Sequence, residues 1–561
     1  MTSSTRRTEL LLLVACCTFL LFYGLGAFGL LGADEPRYAQ VAREMLDRGD
    51  WITPTLNGKP WLEKPPLYYW QAMLSYRVAR TLPSAHATQK ANDGVTEQTA
   101  RLPGAIDAAL MIAAIYFFLR RRSKSEARPG QSIEIDAALI AASSVGIIGF
   151  AHAASTDMPL TAAFTIALLA WYRWYENQRK LDLAIFYLCL ALGTLAKGPI
   201  SPALAAVIVV LFAIAKRDWK LIPRTLWLPG IALFFIVALP WYIAVQLRNP
   251  DFFRVFILEH NLERFSTNVY HHPQPFWFYG PVFLLAALPW TLWLILALVE
   301  RLHLIWRERR EVFTGGEAFT SDEDSWSLFL ILWIVVPILF FSASQSKLPG
   351  YILPAVPAAA LLVADYLAER NARQAKIGFP LALIHALFCG ALIFAALAAP
   401  TLALNHHLAF DGAARGAALI AAIFAVGIAT TLVMPAGPQM LRSVTIFAVI
   451  VSVALVIRLA APSIDASQSA RPIAEAIDNF SRESLPVALF HVGRTTQYGL
   501  DFYLHRPTGS YDAGEIPAEP HLLVAASAAG TDFNTLIPGR KVSYLTSLPA
   551  RKLNLYWIGS K

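Results

Sequence analysis

The feature that most constrains this chain is a succession of long apolar runs separated by short polar segments. A helix that crosses a bilayer needs about 20 mostly apolar residues, and we count about thirteen such runs. With 56% hydrophobic and only 15% charged residues, the chain has more apolar surface than a water-soluble fold can bury. We therefore predict a polytopic α-helical membrane protein. The predicted helix centres are Leu20, Met111, Ile147, Ile166, Leu190, Val207, Phe235, Leu288, Trp333, Leu361, Leu392, Ile423 and Val451.

The first apolar run, residues 10–31, follows Arg6 and Arg7 and has two interpretations. It is either an uncleaved membrane helix or a signal peptide. The run is longer than the roughly 7–15 apolar residues typical of a signal peptide. This length favours an uncleaved helix.

Basic residues cluster in alternate connecting segments, such as RRRSKSEAR (residues 120–128) and ERNARQAK (residues 369–376). Basic connectors mark the cytoplasmic side of a membrane protein. This rule places the N-terminus inside, the long first loop (residues 32–101) outside and, after thirteen helices, the C-terminus outside. The net charge of +8 reflects the same bias, so we predict no nucleic-acid partner.

The chain changes character after about residue 462. Short β-rich runs such as PVALFHV and HLLVAA follow, broken by Gly, Pro and Asp. We predict a small α/β domain of about 100 residues, 463–561, on the outer side. The preceding residues, 1–462, would form the transmembrane domain, with surface helices in the first loop.

Isolated charges occur in the predicted outer connectors. Asp157, Lys197 and Lys347 each stand nearly alone in a short segment between apolar runs. Lone charges at membrane depth are costly and usually functional. Asp34, in DEPRYA, directly follows the first run. Asp34 and Asp157 each stand close to a proline and could simply cap helices, but their shared outer face favours a common cavity.

A second group of charges in the outer loops predicts contacts with a lipid-linked phosphate. Lys64, in EKPPLYYW, is one candidate. The alternative is a local ion pair between Lys64 and Glu63, which would be worth about 0–1 kcal/mol. Further candidates for phosphate contacts are the arginines of a later loop, Arg248, Arg254 and Arg264.

The segment YHHPQPFW offers a candidate metal site. His271 and His272 could bind a divalent ion such as zinc together with Glu63. We predict no cofactor that the reaction requires, and leave this metal as an optional ligand. The sequence also has no Walker A, G-x-G-x-x-G or G-x-S-x-G motif. An activated donor embedded in the membrane is therefore favoured over a nucleotide.

Five short motifs together resemble a known family. They are DEPRYA, GDWITP, EKPPLYYW, AKG and KLPGYILP. They resemble the lipid A aminoarabinose transferases, large-fold GT-C glycosyltransferases related to the protein O-mannosyltransferases. The resemblance is strong in the first loop, thinner up to about Pro354, and only general in the tail. It implies a thirteen-helix fold with a periplasmic C-terminal domain.

The resemblance also implies a reaction. 4-Amino-4-deoxy-L-arabinose would move from undecaprenyl phosphate to lipid A phosphates at the periplasmic face of the inner membrane, which gives polymyxin resistance. Transfer is expected to invert the configuration at the anomeric carbon of the sugar. The enzyme is expected to be a monomer. The predicted catalytic residues are the acids Asp34, Glu35 and Asp157. The predicted substrate-binding residues are Arg37, Tyr38, Lys64, Lys197, Arg248, Arg264, Lys347 and Tyr351.

Two alternatives differ in what the site acts on. One is the same class of enzyme with a hydroxyl acceptor, such as a protein Ser/Thr or a core sugar, for which Asp34 would act as a general base. The other is a lipid or sugar transporter. The absence of an inverted repeat and the confinement of isolated charges to one face disfavour the transporter.

Overall fold

The structure is a computed structural model that describes residues 3–81, 94–123, 132–256, 274–313, 322–405, 412–480, 485–527 and 536–560. It is mostly helical, with a five-stranded sheet near the C-terminus. The helices up to residue 250 are α1 (Ser3–Phe22), α2 (Asp34–Arg48), α3 (Leu67–Thr81), α4 (Glu97–Ser123), α5 (Ile133–Ser143), α6 (Val145–Ala151), α7 (Asp157–Asn177), α8 (Lys180–Lys197), α9 (Ile200–Lys216), α10 (Leu221–Thr225) and α11 (Leu228–Arg248). The later helices are α12 (Tyr279–Ala286), α13 (Thr291–Phe313), α14 (Asp322–Ser342), α15 (Val356–Ala372), α16 (Phe379–Asn405), α17 (Gly412–Val433), α18 (Gly437–Leu455), α19 (Ala461–Gln468), α20 (Arg471–Phe480) and α21 (Arg494–Leu504).

The apolar helices confirm a polytopic membrane architecture. Within the described residues, seven helices are long and apolar enough to cross a bilayer, or nine if each of two bent pairs forms one span. Eleven of the thirteen predicted centres lie within unbroken helices; the shortest of these, α9 and α15, have 17 residues each. The apolar runs therefore located the bundle helices, although among the described residues fewer than thirteen helices are long and apolar enough to cross a bilayer.

Two predicted runs are broken helices, which corrects the expectation of continuous spans at Ile147 and Leu288. The helices α5 and α6 meet at 63°, and the segments on either side of Leu288 meet at 116°. Pro289 explains the second break, because proline lacks the N–H that a continuous helix needs.

The two breaks pack against each other. The Val145 N–H donates to the Leu288 carbonyl at 3.0 Å, and the Trp290 indole N–H donates to the Ser143 hydroxyl at 2.9 Å. Unpaired backbone groups are costly at membrane depth. Each break therefore supplies hydrogen-bond partners for the other.

A tight hairpin of two helices brings two distant parts of the chain together at the candidate site. Helix α7 ends at Asn177, Gln178 adopts a left-handed conformation (φ 56°), and α8 begins at Lys180. Helices of about 20 residues rise about 30 Å. The start of α7 and the end of α8 therefore lie together, far from the hairpin turn.

The first loop forms a compact layer on the bundle. It contains α2, α3 and a small hairpin of β1 (Thr55–Leu56) and β2 (Lys59–Pro60). The hairpin turn is Asn57–Gly58, with φ of 53° and 74°, as expected for an Asn-Gly turn. The Glu44 carboxylate of α2 accepts hydrogen bonds from the Thr55 hydroxyl and the Asn57 N–H, both at 2.7 Å.

The C-terminal part has the α/β character that the sequence predicts. Its strands are β3 (Val487–Phe490), β4 (Gly509–Ser510), β5 (His521–Ala526), β6 (Val542–Leu548) and β7 (Leu553–Ile558). The sheet order is β4-β3-β5-β7-β6. Strand β3 is parallel to β4 and β5, whereas β7 is antiparallel to β5 and β6. The last apolar helical segment ends at Gln468.

The C-terminal part contacts the first loop through polar bonds. The Arg43 guanidinium donates to the Phe502 carbonyl at 3.0 Å, and the Asn57 amide donates to the Asp501 carboxylate at 2.9 Å. The Tyr503 hydroxyl accepts from the Leu30 N–H at 2.8 Å. These contacts hold α21 beside α2.

Candidate active site

Two helix ends bring an acid and a base together. Asp157 is the first residue of α7 and Lys197 is the last residue of α8, and their side chains form an ion pair. Both side chains are mostly buried, at 17% and 15% exposure. The Lys197 ammonium also lies 4.6 Å from the ring centre of Tyr351. Three residues that the sequence analysis selected separately therefore form one cluster.

Gly350 makes the close approach to this cluster possible. A Cβ atom at position 350 would lie 2.9 Å from the Asp157 carboxylate carbon and 2.8 Å from the Phe150 ring. Real Cβ atoms essentially never come so close. The contact between Gly350 and Asp157 arises from the packing of segments far apart in the chain.

Replacing Gly350 with alanine should lower the transfer activity that the family resemblance implies about 10- to 100-fold. The added methyl group would displace Asp157, and overpacking of this kind typically costs about 1–3 kcal/mol. Gly149→Ala is the matched control, because nothing lies within 4 Å of a Cβ there. Initial rates of both purified variants would test this. Equal rates would show that the position of Asp157 does not limit the reaction.

Lys347 has a different environment from Lys197. It is buried, and its ammonium donates to the carbonyls of Ser344 at 2.6 Å and Gln274 at 3.1 Å. These bonds tie the segment before Tyr351 to the start of the α12 region. The described contacts of Lys347 therefore hold together two backbone segments, around Ser344 and Gln274.

A second cluster lies at the start of α2. The half-exposed Asp34 side chain forms an ion pair with Arg37, which is 13% exposed. The Arg37 guanidinium lies 3.9 Å from the Glu63 carboxylate, 4.9 Å from the Trp61 ring centre and 5.6 Å from the Tyr498 ring centre. Tyr498 belongs to α21, so the C-terminal part reaches this cluster.

Burial and charge act in opposite directions on Arg37. Burial alone would lower the pKa of its guanidinium, but neighbouring Tyr38, Asp34 and Glu63 raise that pKa above its ordinary value. Arg37 is therefore a permanent cation. Tyr38 is buried, and this burial raises the pKa of its hydroxyl, so Tyr38 stays neutral.

Three buried polar groups around Arg37 have no hydrogen-bond partner among the described residues. They are the Arg37 Nε, the Trp61 indole nitrogen and the Tyr69 hydroxyl. Buried polar groups are normally paired, and unpaired ones call for an explanation such as a ligand. The sequence analysis missed Trp61 and Tyr69, although Tyr69 lies within EKPPLYYW and Trp61 two residues before it.

Glu35 occupies a closed site, unlike its neighbour Asp34. One carboxylate oxygen accepts from Arg101 at 2.7 Å and from the Leu31 N–H at 2.7 Å. The other accepts from Arg101 at 3.2 Å and from the Ala154 N–H at 2.8 Å. Both oxygens are engaged, so the contacts are those of a residue that positions its surroundings.

Arg101 is the buried partner that the sequence analysis did not select. Its side chain is fully buried and also donates to the carbonyls of Leu25, Phe28 and Gly29 at 2.8–2.9 Å. The ion pair with Glu35 links α2, α4 and the segment that precedes Asp157. It thereby joins the two clusters at one end of the bundle.

The remaining predicted residues are two arginines that pair elsewhere, Lys64 next to Glu63 in the chain, and three residues outside the described part. Arg248 is half-exposed and pairs with Asp50 at 3.0 Å, and Arg254 pairs with Asp251 at 3.3 Å on an exposed surface. Lys64 is half-buried. Three predicted site residues lie outside the described part of the chain: Arg264, His271 and His272.

Of the three predicted metal ligands, only Glu63 lies within the described residues. Its carboxylate faces the Arg37 guanidinium at 3.9 Å, and a neighbouring cation disfavours a second cation at the same carboxylate. Among the described residues, no group of three or more His, Cys, Asp or Glu side chains could hold a metal ion.

Comparison with known proteins shows which fold this chain shares. The chain matches the crystal structure of ArnT from Cupriavidus metallidurans bound to undecaprenyl phosphate with a TM-score of 0.72, over 98% of this chain and 97% of that one. At 21% identity this likeness establishes the shared fold. The family described as dolichyl-phosphate-mannose-protein mannosyltransferase matches residues 63–243.

The sequence is similar to those of named transferases. The chain is 32% identical over 359 residues to an undecaprenyl phosphate-alpha-4-amino-4-deoxy-L-arabinose arabinosyl transferase from Pseudomonas fluorescens, covering 63% of this chain and 58% of that relative. It is 31% identical over 367 residues to the transferase of that name from Edwardsiella ictaluri, covering 64% and 59%. The chain thus covers less than two thirds of either relative. It is related to these transferases, and the predicted family resemblance is confirmed.

Proposed function

We propose that this chain is a glycosyltransferase that moves 4-amino-4-deoxy-L-arabinose from undecaprenyl phosphate to phosphate groups of lipid A. The observation that carries the proposal is that the segment before the Asp157–Lys197 pair is bonded, through Ala154 N–H, to Glu35 beside the Asp34–Arg37 pair. The names and sequence similarity of the relatives support the choice of donor.

The proposal includes a membrane topology. Thirteen helices would place the clusters and the C-terminal α/β domain (residues 463–561) on the periplasmic side of the bacterial inner membrane. The distribution of basic connectors supports this orientation. We propose that the enzyme acts as a monomer within the bilayer.

Lys197 and Arg37 would bind the donor phosphate. Glycosyl transfer passes through an oxocarbenium-like state in which negative charge grows on the leaving phosphate. Cations held in a partly buried site stabilise this charge. Lys64, in the first loop, would complete the phosphate site. No step requires the optional metal, because these cations stabilise the negative charge on the leaving phosphate.

The proposed acceptor decides what Asp34 does. A lipid A phosphate is already ionised at neutral pH and needs no base. Asp34 would therefore stabilise the cationic sugar or hold its 4-ammonium group, with Asp157 as a second acid. A hydroxyl acceptor would instead require Asp34 as the general base.

Replacing Asp34 with asparagine should lower transfer at least about 100-fold, because it removes the charge while keeping the shape. The chain and this variant would be expressed in a Gram-negative host that makes the lipid-linked sugar but lacks its own transferase. The mass spectrum of lipid A is the measurement. We expect an added aminoarabinose only with the unaltered chain.

Each alternative has a distinct result in this experiment. An unmodified lipid A, with sugar found on core oligosaccharide or protein, would replace the proposed acceptor by a hydroxyl. Near-normal modification by the Asp34→Asn variant would remove Asp34 from the mechanism. Membrane levels of both proteins would be compared to separate lost activity from lost expression.

A further inference from the structure

A large polar cavity lies at the end of the bundle that the proposed reaction does not use. It has a volume of about 970 Å³ and opens between the end of α4, the turn of the α7–α8 hairpin and α10. Helix α7 runs from Asp157 in the candidate site to Asn177 at this cavity. Its 21 residues place the two about 30 Å apart. The cavity is therefore separate from the donor site.

The cavity is strongly positive. Five arginines line it, against two acids, Glu176 and Asp182, which leaves an excess of three positive charges. Both acids are already paired, Glu176 with Arg122 at 3.1 Å and Asp182 with Arg173 at 3.5 Å. The other lining arginines are Arg121, Arg179 and Arg224.

Several of these cations are held in place before any ligand arrives. The Arg122 guanidinium lies 4.8 Å from the Trp326 ring centre and 5.6 Å from that of Tyr172. Arg224 donates to the Gln178 side-chain oxygen at 2.6 Å. Planar guanidinium groups that are already oriented suit the bidentate binding of phosphate oxygens.

An exposed apolar side chain at the cavity edge favours a lipid over a soluble anion as the ligand. Leu181 lines the cavity, yet 72% of its surface is exposed. It begins the apolar helix α8 and is suited to lie against an acyl chain. Basic pockets between helix ends at the membrane surface bind anionic lipid headgroups.

We propose that this cavity binds the phosphate headgroup of an anionic phospholipid on the membrane face opposite the candidate active site. The arginines would contact the phosphodiester oxygens, and an acyl chain would run along Leu181. The proposal concerns binding alone and does not depend on the proposed transfer reaction.

The test is the affinity of the purified full chain for phosphatidylglycerol, measured by native mass spectrometry. Phosphatidylcholine is the comparison lipid. Each basic side chain near a membrane surface contributes about fivefold to the affinity for an anionic lipid. The double variant Arg121→Gln/Arg179→Gln should therefore bind phosphatidylglycerol about 25-fold more weakly.

The matched control is Arg217→Gln/Lys220→Gln. This variant loses the same charge at the same end of the bundle, but neither residue lines the cavity. It should bind phosphatidylglycerol within about threefold of the unaltered chain. Equal weakening in both variants would overturn the proposal, since only general surface charge would then matter.

Two other results would also overturn it. Equal affinity for phosphatidylglycerol and phosphatidylcholine would exclude a charge-selective site. Displacement of the bound lipid by inorganic phosphate at an equal concentration would show a site for soluble phosphate. Both measurements use binding as the readout, so an inactive transferase would not affect them.

Discussion

Replacing Arg101 with methionine should lower the free energy of unfolding by about 3–5 kcal/mol, because it leaves the Glu35 carboxylate buried without its cation. Arg101 is fully buried and bonds to both oxygens of Glu35. It also bonds to three backbone carbonyls between α1 and α2. Unfolding of the detergent-purified variants, followed at equilibrium, would measure the loss.

The double variant Glu35→Gln/Arg101→Met separates structure from catalysis. Removing both charges should cost less than the sum of the two single changes, because no uncompensated charge remains. Additive losses would show that the ion pair does not couple the two residues. If Glu35 only positions its surroundings, the Glu35→Gln protein that remains folded should keep most of its activity. A 100-fold loss in that folded fraction would support the catalytic role predicted from the sequence.

Replacing Lys197 with methionine should lower transfer about 100- to 1,000-fold without a matching loss of folded protein. Removing one preorganised group that stabilises developing charge typically costs this much. Lys197 is the cation nearest to both Asp157 and Tyr351 among the contacts of this cluster. The initial rate with saturating lipid-linked donor measures the effect on the chemical step.

Lys59→Met is the control for this change. Lys59 is exposed in the β2 strand of the first-loop hairpin, so the same substitution there should leave the rate within about twofold. If Lys197→Met raised only the donor concentration needed for half-maximal rate, the ammonium would bind donor and transition state equally. An unchanged rate at all donor concentrations would remove Lys197 from the proposed site.

Local sequence patterns could not predict that Asp34 and Glu35 would have different surroundings. The family resemblance implies a catalytic role for both Asp34 and Glu35, yet the two side chains have opposite environments, one closed by Arg101 and one half-exposed. Neighbours along a helix point about 100° apart. Adjacent acids therefore need not share a role, and only their surroundings distinguish them.

The sequence by itself determined the membrane class, the positions of most apolar helices and the α/β character of the C-terminal part. These features depend on hydropathy and local propensity, which act over about 20 residues or fewer. Turn chemistry is equally local, as the Asn57–Gly58 hairpin shows. The same reasoning selected Asp157 and Lys197 as isolated charges, without stating that they pair.

Only the tertiary structure decided which of these residues meet. Asp157 and Lys197 are 40 positions apart and pair because α7 and α8 are antiparallel helices of similar length. Gly350 reaches Asp157, and Tyr498 reaches Arg37, from segments far away in the chain. Contacts of this kind arise from the packing of whole elements against each other. A pattern confined to one segment cannot specify them, because the partner is set by geometry rather than by sequence distance.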